Sequence, residues 1–204
     1  MAETYTRKGF VKKYGSDIAK AVKGTGILAG TLVAQAIVES QGKVASGSYR
    51  VGASTLSQEA NNYFGIKCYG GWKGKTYNID TGEQKPDGSR YVDKNACFRK
   101  YDSVKDSMKD YLKFLKENPR YEKAGVFKAK SVKEQAEALK RGGYATSVKY
   151  ADTINKVYLG VKEEVDKYAK PKTDIGKIIV FSIVGLSVIG VGIGLYHYFK
   201  TKNK

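Results

Sequence analysis

A chain of 204 residues has room for one ordinary domain and an appendage. Its 37 Lys and Arg outweigh 20 Asp and Glu, giving a formal charge of +17 that points to a polyanionic partner: nucleic acid, anionic lipid or the acidic polymers of a bacterial wall. The basic residues are spread evenly and no nucleic-acid motif accompanies them, so no specific nucleic-acid partner is expected.

The first fifteen residues, MAETYTRKGFVKKYG, hold no apolar h-region and do not read as a secretory signal. Residues 6–22 read as a helix with Phe10, Val11, Ile18 and Val22 facing a core. The run 26–38 is uncharged but only 13 residues long, too short to span a bilayer. It reads as the central helix of a globular core, over about 27–40, ending at Gln41-Gly42. Between about 43 and 100, Gly, Ser, Asn and Tyr dominate. The alternating pieces Lys75–Ile79 and Tyr91–Phe98 predict a β-hairpin around Pro86-Asp87-Gly88. Helical signals then resume. Ser103 and Asp106 form a capping pattern ahead of Val104, Met108, Tyr111, Leu112 and Leu115. Ser131 and Glu134 repeat it ahead of Val132, Ala136 and Leu139, and Gly142-Gly143 stops that helix. One further helix is expected over about 148–168, with Ala151, Ile154, Val157, Tyr158, Val161 and Val165 at helical spacing.

The expected organisation is thus a mainly α domain with a small β-hairpin insertion over 1–168, followed by a linker over 169–177. The next run, 178–199, holds 22 residues without Asp, Glu, Lys or Arg. At about 1.5 Å per residue it is long enough to cross a hydrocarbon core. Tyr196, His197 and Tyr198 close it with the rings that favour a membrane interface, and a basic tail occupies 200–204. A single-pass C-terminal transmembrane helix in contact with lipid is the expectation. Gly190 and Gly194 add a G-x-x-x-G step of the kind that supports helix self-association.

His197 is the single histidine and lies inside that run. Ser-His-Asp and Cys-His hydrolases need a soluble imidazole as base, and zinc hydrolases usually recruit histidine ligands. Two cysteines cannot supply a four-ligand structural zinc site. Neither G-x-x-x-x-G-K-[ST] nor G-x-G-x-x-G occurs. Neither a metal nor a cofactor is expected, which leaves carboxylate chemistry, the usual means of cutting glycosidic bonds. Glu39 is the first candidate. It closes an apolar helix, where burial and the negative end of the helix dipole both favour the protonated acid. A solvated helix end is the alternative reading of the same residue.

The segments 34–42 AQAIVESQG, 61–67 NNYFGIK, 98–103 FRKYDS and 143–151 GYATSVKYA, in this order and spacing, resemble the glucosaminidase domain of glycoside hydrolase family 73. The resemblance covers roughly residues 8–160. It implies a lysozyme-like helical fold, a peptidoglycan glycan strand as substrate and cleavage at N-acetylglucosamine. Glu39 becomes the catalytic acid of AQ-x-x-x-ES. Thr81-Gly82-Glu83 matches the family's T-x-E, making Glu83 the candidate second carboxylate, with Asp80, Asp87 and Asp93 as substitutes. Tyr144 and Tyr150 are expected to line the cleft, with Tyr144 at the reacting centre. Asn61, Asn62, Phe64 and Gly65 are expected to form the opposite wall, Asn62 bonding an N-acetyl group, and Trp72 is suited to stacking on a sugar face. A lytic transglycosylase of the same fold and a non-catalytic wall-binding protein are the competing readings. Cys68 and Cys97 bracket the hairpin and form either a disulfide, suited to an extracytoplasmic site, or two buried thiols. The catalytic domain is expected to face the cell wall, or to be delivered by a phage-type particle.

Overall fold

A computed structural model of the chain describes residues 2–69, 71–84 and 89–169, with backbone alone for residues 83, 84 and 90. The run 178–199, its linker and the basic tail lie outside the described residues. Among those described, no helix is long and apolar enough to cross a membrane.

The described part is mainly helical. Helix α1 (Arg7–Ala21) starts where the Thr6 hydroxyl accepts the Gly9 N–H at 3.0 Å, and it buries Phe10, Val11, Gly15 and Ile18. Helix α2 (Ala29–Ser40) is buried along almost its whole length, from Gly30 to Ile37, and forms the axis of the core. It begins two residues later than the sequence suggests, and no local side chain caps it. The cap comes from far away. The Leu28 N–H donates to Gln135 Oε1 at 2.9 Å, while Gln135 Nε2 donates to the Gly26 and Val126 carbonyls at 2.9 and 2.8 Å. A buried amide with these bonds made stabilises the join; left unpaired it would cost about 1–3 kcal/mol.

A two-residue pair, β1 (Gly42–Lys43) with β2 (Tyr49–Arg50), and a short helix α3 (Thr55–Ala60) follow, neither of which the composition of this region announced. The predicted hairpin is present as antiparallel β3 (Thr76–Gln84) and β4 (Arg90–Arg99), with an irregularity between Ile79 and Thr81. Both capping patterns work as read. Ser103 Oγ accepts the Asp106 N–H ahead of α4 (Val104–Glu117), and Ser131 Oγ accepts the Glu134 N–H ahead of α6 (Val132–Arg141). Between them lie α5 (Pro119–Lys123) and a 3-10 turn, Val126–Lys128.

The single helix expected over 148–168 is in fact two, α7 (Tyr150–Leu159) and α8 (Lys162–Ala169). Gly160, a poor helix former, caps α7 and breaks the ladder, so that α8 turns back along α1. There Tyr168 packs on Gly15, where a Cβ would stand 2.4 Å from the ring. The residues up to Ala169 form one compact unit. Its interior is filled by Phe10, Ile18, Leu32, Ile37, Leu139 and Ile154, all fully buried.

Candidate active site

Glu39 lies in the last turn of α2, and Ser40 fixes the position of that turn. Its hydroxyl donates to the Ala36 carbonyl at 2.5 Å and accepts the Gly52 N–H at 3.1 Å, while its carbonyl accepts the Ser54 N–H at 2.9 Å. Gly52 adopts φ +79°, with Tyr63 Oη 2.4 Å from where a Cβ would sit, so only glycine fits this anchor. Sequence reading passed over Ser40, although it belongs to the same motif as Glu39.

One turn earlier stands Gln35, fully buried, whose amide joins two tyrosines. Its Nε2 donates to Tyr150 Oη at 2.7 Å, and its Oε1 accepts from Tyr111 Oη. Tyr111 stacks on Phe64, with ring centroids 4.3 Å apart and planes 9° from parallel. Tyr144 meets Tyr111 edge-on at 5.7 Å and donates its hydroxyl to the Phe64 carbonyl at 2.7 Å. Helix α4, the loop after α6, the start of α7 and the turn after α3 thus deliver one cluster of rings around Gln35 of α2. Gln35 and Tyr111 are the residues that sequence reading missed. Gln35 sits in the AQ-x-x-x-ES motif, whereas Tyr111 reads only as one more apolar position on α4.

Glu39 as a whole residue is half-buried, and its carboxyl lies deep among neighbouring atoms. Burial pushes its pKa from about 4.5 up to about 7, and no described hydrogen bond or ion pair reaches it to oppose the shift. Tyr111, Tyr144 and Tyr150 are also held well above the usual phenol value, by burial first and then by neighbouring charges that include Glu39. All three therefore stay protonated at neutral pH beside Glu39. A carboxyl that half-ionises near pH 7, among neutral hydroxyls, has the properties of a general acid.

The other predicted site residues divide. Phe64, Tyr144 and Tyr150 belong to the cluster. Asn62 is wholly buried, and the expectation that it bonds a sugar acetamide is corrected by its contacts. Its Nδ2 donates to the Ile66 and Arg99 carbonyls, both at 2.9 Å, and its Oδ1 accepts the Ile66 N–H at 3.1 Å. No donor is left for a ligand, and its work is to shape the turn carrying Phe64. Asn61 is likewise structural, ending α3 at φ +48° and donating to the Tyr101 carbonyl at 3.1 Å. Gly65, at φ +62°, has open space around it.

Trp72 contacts Lys75, Arg99 and Tyr101. Its Nε1 donates to the Lys75 carbonyl at 2.9 Å, and the Arg99 guanidinium lies 4.7 Å from its ring centroid. Arg99 in turn pairs with Asp110 at 2.9 Å. Cys68 and Cys97 are joined as a disulfide. With the Cys68 N–H to Cys97 carbonyl bond, at 2.9 Å, the link ties the turn carrying Phe64 to β4.

Glu83 lies on β3, paired across the ladder with Tyr91. Its side chain and Asp87 are outside the described residues. Asp80 accepts from Lys94 Nζ at 2.6 Å and from the Asn95 N–H at 2.9 Å, and these bonds lower its pKa. Asp93 is paired with Lys67 at 2.8 Å.

Residues 15–163 match the Glucosaminidase family, described as mannosyl-glycoprotein endo-beta-N-acetylglucosaminidase. The chain belongs to this family. It is 38% identical over 109 residues to the peptidoglycan hydrolase FlgJ of Escherichia coli K12, a match covering 53% of this chain and 34% of FlgJ. It is 33% identical over 145 residues to the exo-glucosaminidase LytG of Bacillus subtilis, covering 70% of this chain and 46% of LytG. The chain therefore spans between a third and a half of these curated relatives. Among solved structures, a peptidoglycan hydrolase mutant from Sphingomonas sp. A1 superposes with a TM-score of 0.61 at 31% identity, over 78% of this chain and 97% of that one.

Proposed function

We propose that this glucosaminidase-family chain hydrolyses the glycan strand of peptidoglycan at N-acetylglucosamine, as an endo-acting enzyme, with Glu39 as the general acid. The observation that carries the reading is the Glu39 carboxyl, raised to about 7 by burial and met by no hydrogen bond among the described residues. Glu39 donates its proton to the leaving oxygen as the glycosidic bond breaks. Tyr150, whose oxygen accepts from Gln35, offers its hydroxyl proton to the sugar, while Tyr144, whose proton goes to the Phe64 carbonyl, offers an acceptor. The peptidoglycan hydrolases among its relatives support the choice of substrate.

Glu83 is the proposed second carboxylate. Asp80 and Asp93 are poorer choices because Lys94 and Lys67 already hold them. A lytic transglycosylase would use Glu39 alone, and its products carry an anhydro sugar where hydrolysis leaves a reducing end.

The reading extends to a membrane tether through residues 178–199, with the catalytic domain on the wall side. Its support is the uncharged run of 22 residues, together with the Cys68–Cys97 disulfide, which suits an oxidising compartment. The test is mass spectrometry of purified peptidoglycan digested by the wild type and by Glu39→Gln. Reducing N-acetylglucosamine ends from the wild type alone are expected. Equal digestion by the variant would remove Glu39 from the mechanism, and anhydro products would replace hydrolysis with transglycosylation.

A further inference from the structure

A large groove among the described residues lies away from Glu39. It runs between the C-terminal end of α1 and one flank of α4 and encloses about 890 Å³. Ala21, Met108, Leu112 and Phe127 give it an apolar floor. Lys20, Lys23, Lys105, Lys109, Lys113 and Lys116 rim it, against two lining acids, Asp17 and Glu122. Lys105 takes Asp17 at 2.9 Å. Among the described residues Lys109 and Lys113 reach only Asp106 and Glu117, at 3.9 and 3.7 Å on their own helix. Lys20, Lys23 and Lys116 meet no carboxylate among the described residues.

On α4 the amines recur at 105, 109 and 113, a like-charge spacing of four that weakens a helix. Among the described residues only Lys105 of that stripe is held by an acid of another helix, Asp17. A purely ionic polymer would satisfy the rim and leave the apolar floor without a partner. A lipid surface offers both phosphates and hydrocarbon.

The path of the chain favours the same ligand. Helix α8 runs beside α1 in the same direction, from the Lys8–Glu164 pair at 3.2 Å to Tyr168, whose hydroxyl donates to the Lys12 carbonyl at 3.4 Å. Ala169 therefore leaves toward the end of α1 at which the groove opens. In sequence, eight residues including Lys170, Lys172 and Lys177 separate it from the apolar run that starts at 178.

We propose that this groove docks the domain onto an anionic phospholipid bilayer, the lysines on headgroup phosphates and the floor against interfacial hydrocarbon. The inference goes beyond the hydrolase reading and does not depend on Glu39. Each lysine brought to an anionic leaflet strengthens association roughly five-fold.

The test uses the full chain with an environment-sensitive fluorophore on Lys109→Cys, a single free thiol while Cys68 and Cys97 are bonded. It is reconstituted in phosphatidylcholine vesicles with or without phosphatidylglycerol. A blue shift with phosphatidylglycerol that high salt reverses is expected. The same shift should be lost when Lys20, Lys23, Lys113 and Lys116 are all changed to Ser, while peptidoglycan hydrolysis by that variant stays at the wild-type rate. Equal spectra in the two vesicles, or a shift that survives the four substitutions, would overturn the proposal. So would the same shift produced in phosphatidylcholine vesicles by a soluble glycerol-phosphate polymer, which would make the groove a site for acidic polymers instead.

Discussion

The end of α2 and the β3–β4 hairpin both carry acids, and the two surroundings push those acids in opposite directions. Glu39 sits among rings and helices with no hydrogen-bond partner among the described residues, and burial raises it to about 7. Asp80 stands in water on the hairpin, and the Lys94 amine with the Asn95 N–H lowers it. A carboxyl alone therefore says little about chemistry. Whether the fold withholds water from it, as at Glu39, or supplies a counter-ion, as at Asp80, decides whether it can hold a proton near neutral pH.

The contrast can be broken most forcefully at Glu39 itself. Glu39→Gln keeps the shape and removes the proton, so the rate of peptidoglycan clearance should fall by about 10²–10⁴-fold, with the circular dichroism spectrum unchanged. A residual rate within a few-fold of wild type would remove the distinction between the two regions.

Next in size is the link between them. Removing the Cys68–Cys97 bond, which spans 29 residues of sequence, with the double Cys→Ser variant should lower stability by about 3–4 kcal/mol in urea titrations. Limited proteolysis should then cut in the hairpin before the helical core.

Gln35→Leu sharpens the comparison from inside the core. It leaves Tyr111 and Tyr150 without their shared amide and should cost about 2–3 kcal/mol, read from the same titrations. Because the rings around Glu39 lose their anchor, the rate should fall as well, which loss of stability alone would not cause in protein that remains folded.

The smallest effect concerns pH. The folded pKa of Glu39 lies above the unfolded value, so below pH 4.5 both states are protonated and the residue is neutral toward stability. As pH rises toward 7 the unfolded state ionises first, and the wild type loses stability relative to Glu39→Gln. The difference should reach about 1–3 kcal/mol above pH 7, discounted because Glu39 is only half-buried, and vanish at pH 4. Thermal melts of the two proteins across that range read it directly.

Much of this architecture was legible in the sequence, because its signals are local. The caps at Ser103 and Ser131 lie three residues from the N–H groups they serve, and the apolar faces of α1 and α4 repeat within a turn. Glu39 stood out because it ends an uncharged helix. The rest depended on partners far along the chain. Gln135 caps α2 from 107 residues away, and Gln35 meets Tyr150 across 115. Gln135 looks no different in sequence from a solvated glutamine, and Gln35, though inside the AQ-x-x-x-ES motif, gives no sign of which tyrosines it joins. Asn62 misled for a related reason. The same motif that suggested a ligand-facing amide spends that amide on the carbonyls of Ile66 and Arg99. The break at Gly160 was missed because the apolar spacing continues through it into α8.

The most direct test of the central claim is a carboxyl ¹³C NMR titration of the intact protein, following Glu39 and Asp80 in one sample. The account predicts a midpoint of about 7 for Glu39 and one below the ordinary 3.8 for Asp80. A Glu39 midpoint near 4.5, level with a solvated glutamate, would contradict it.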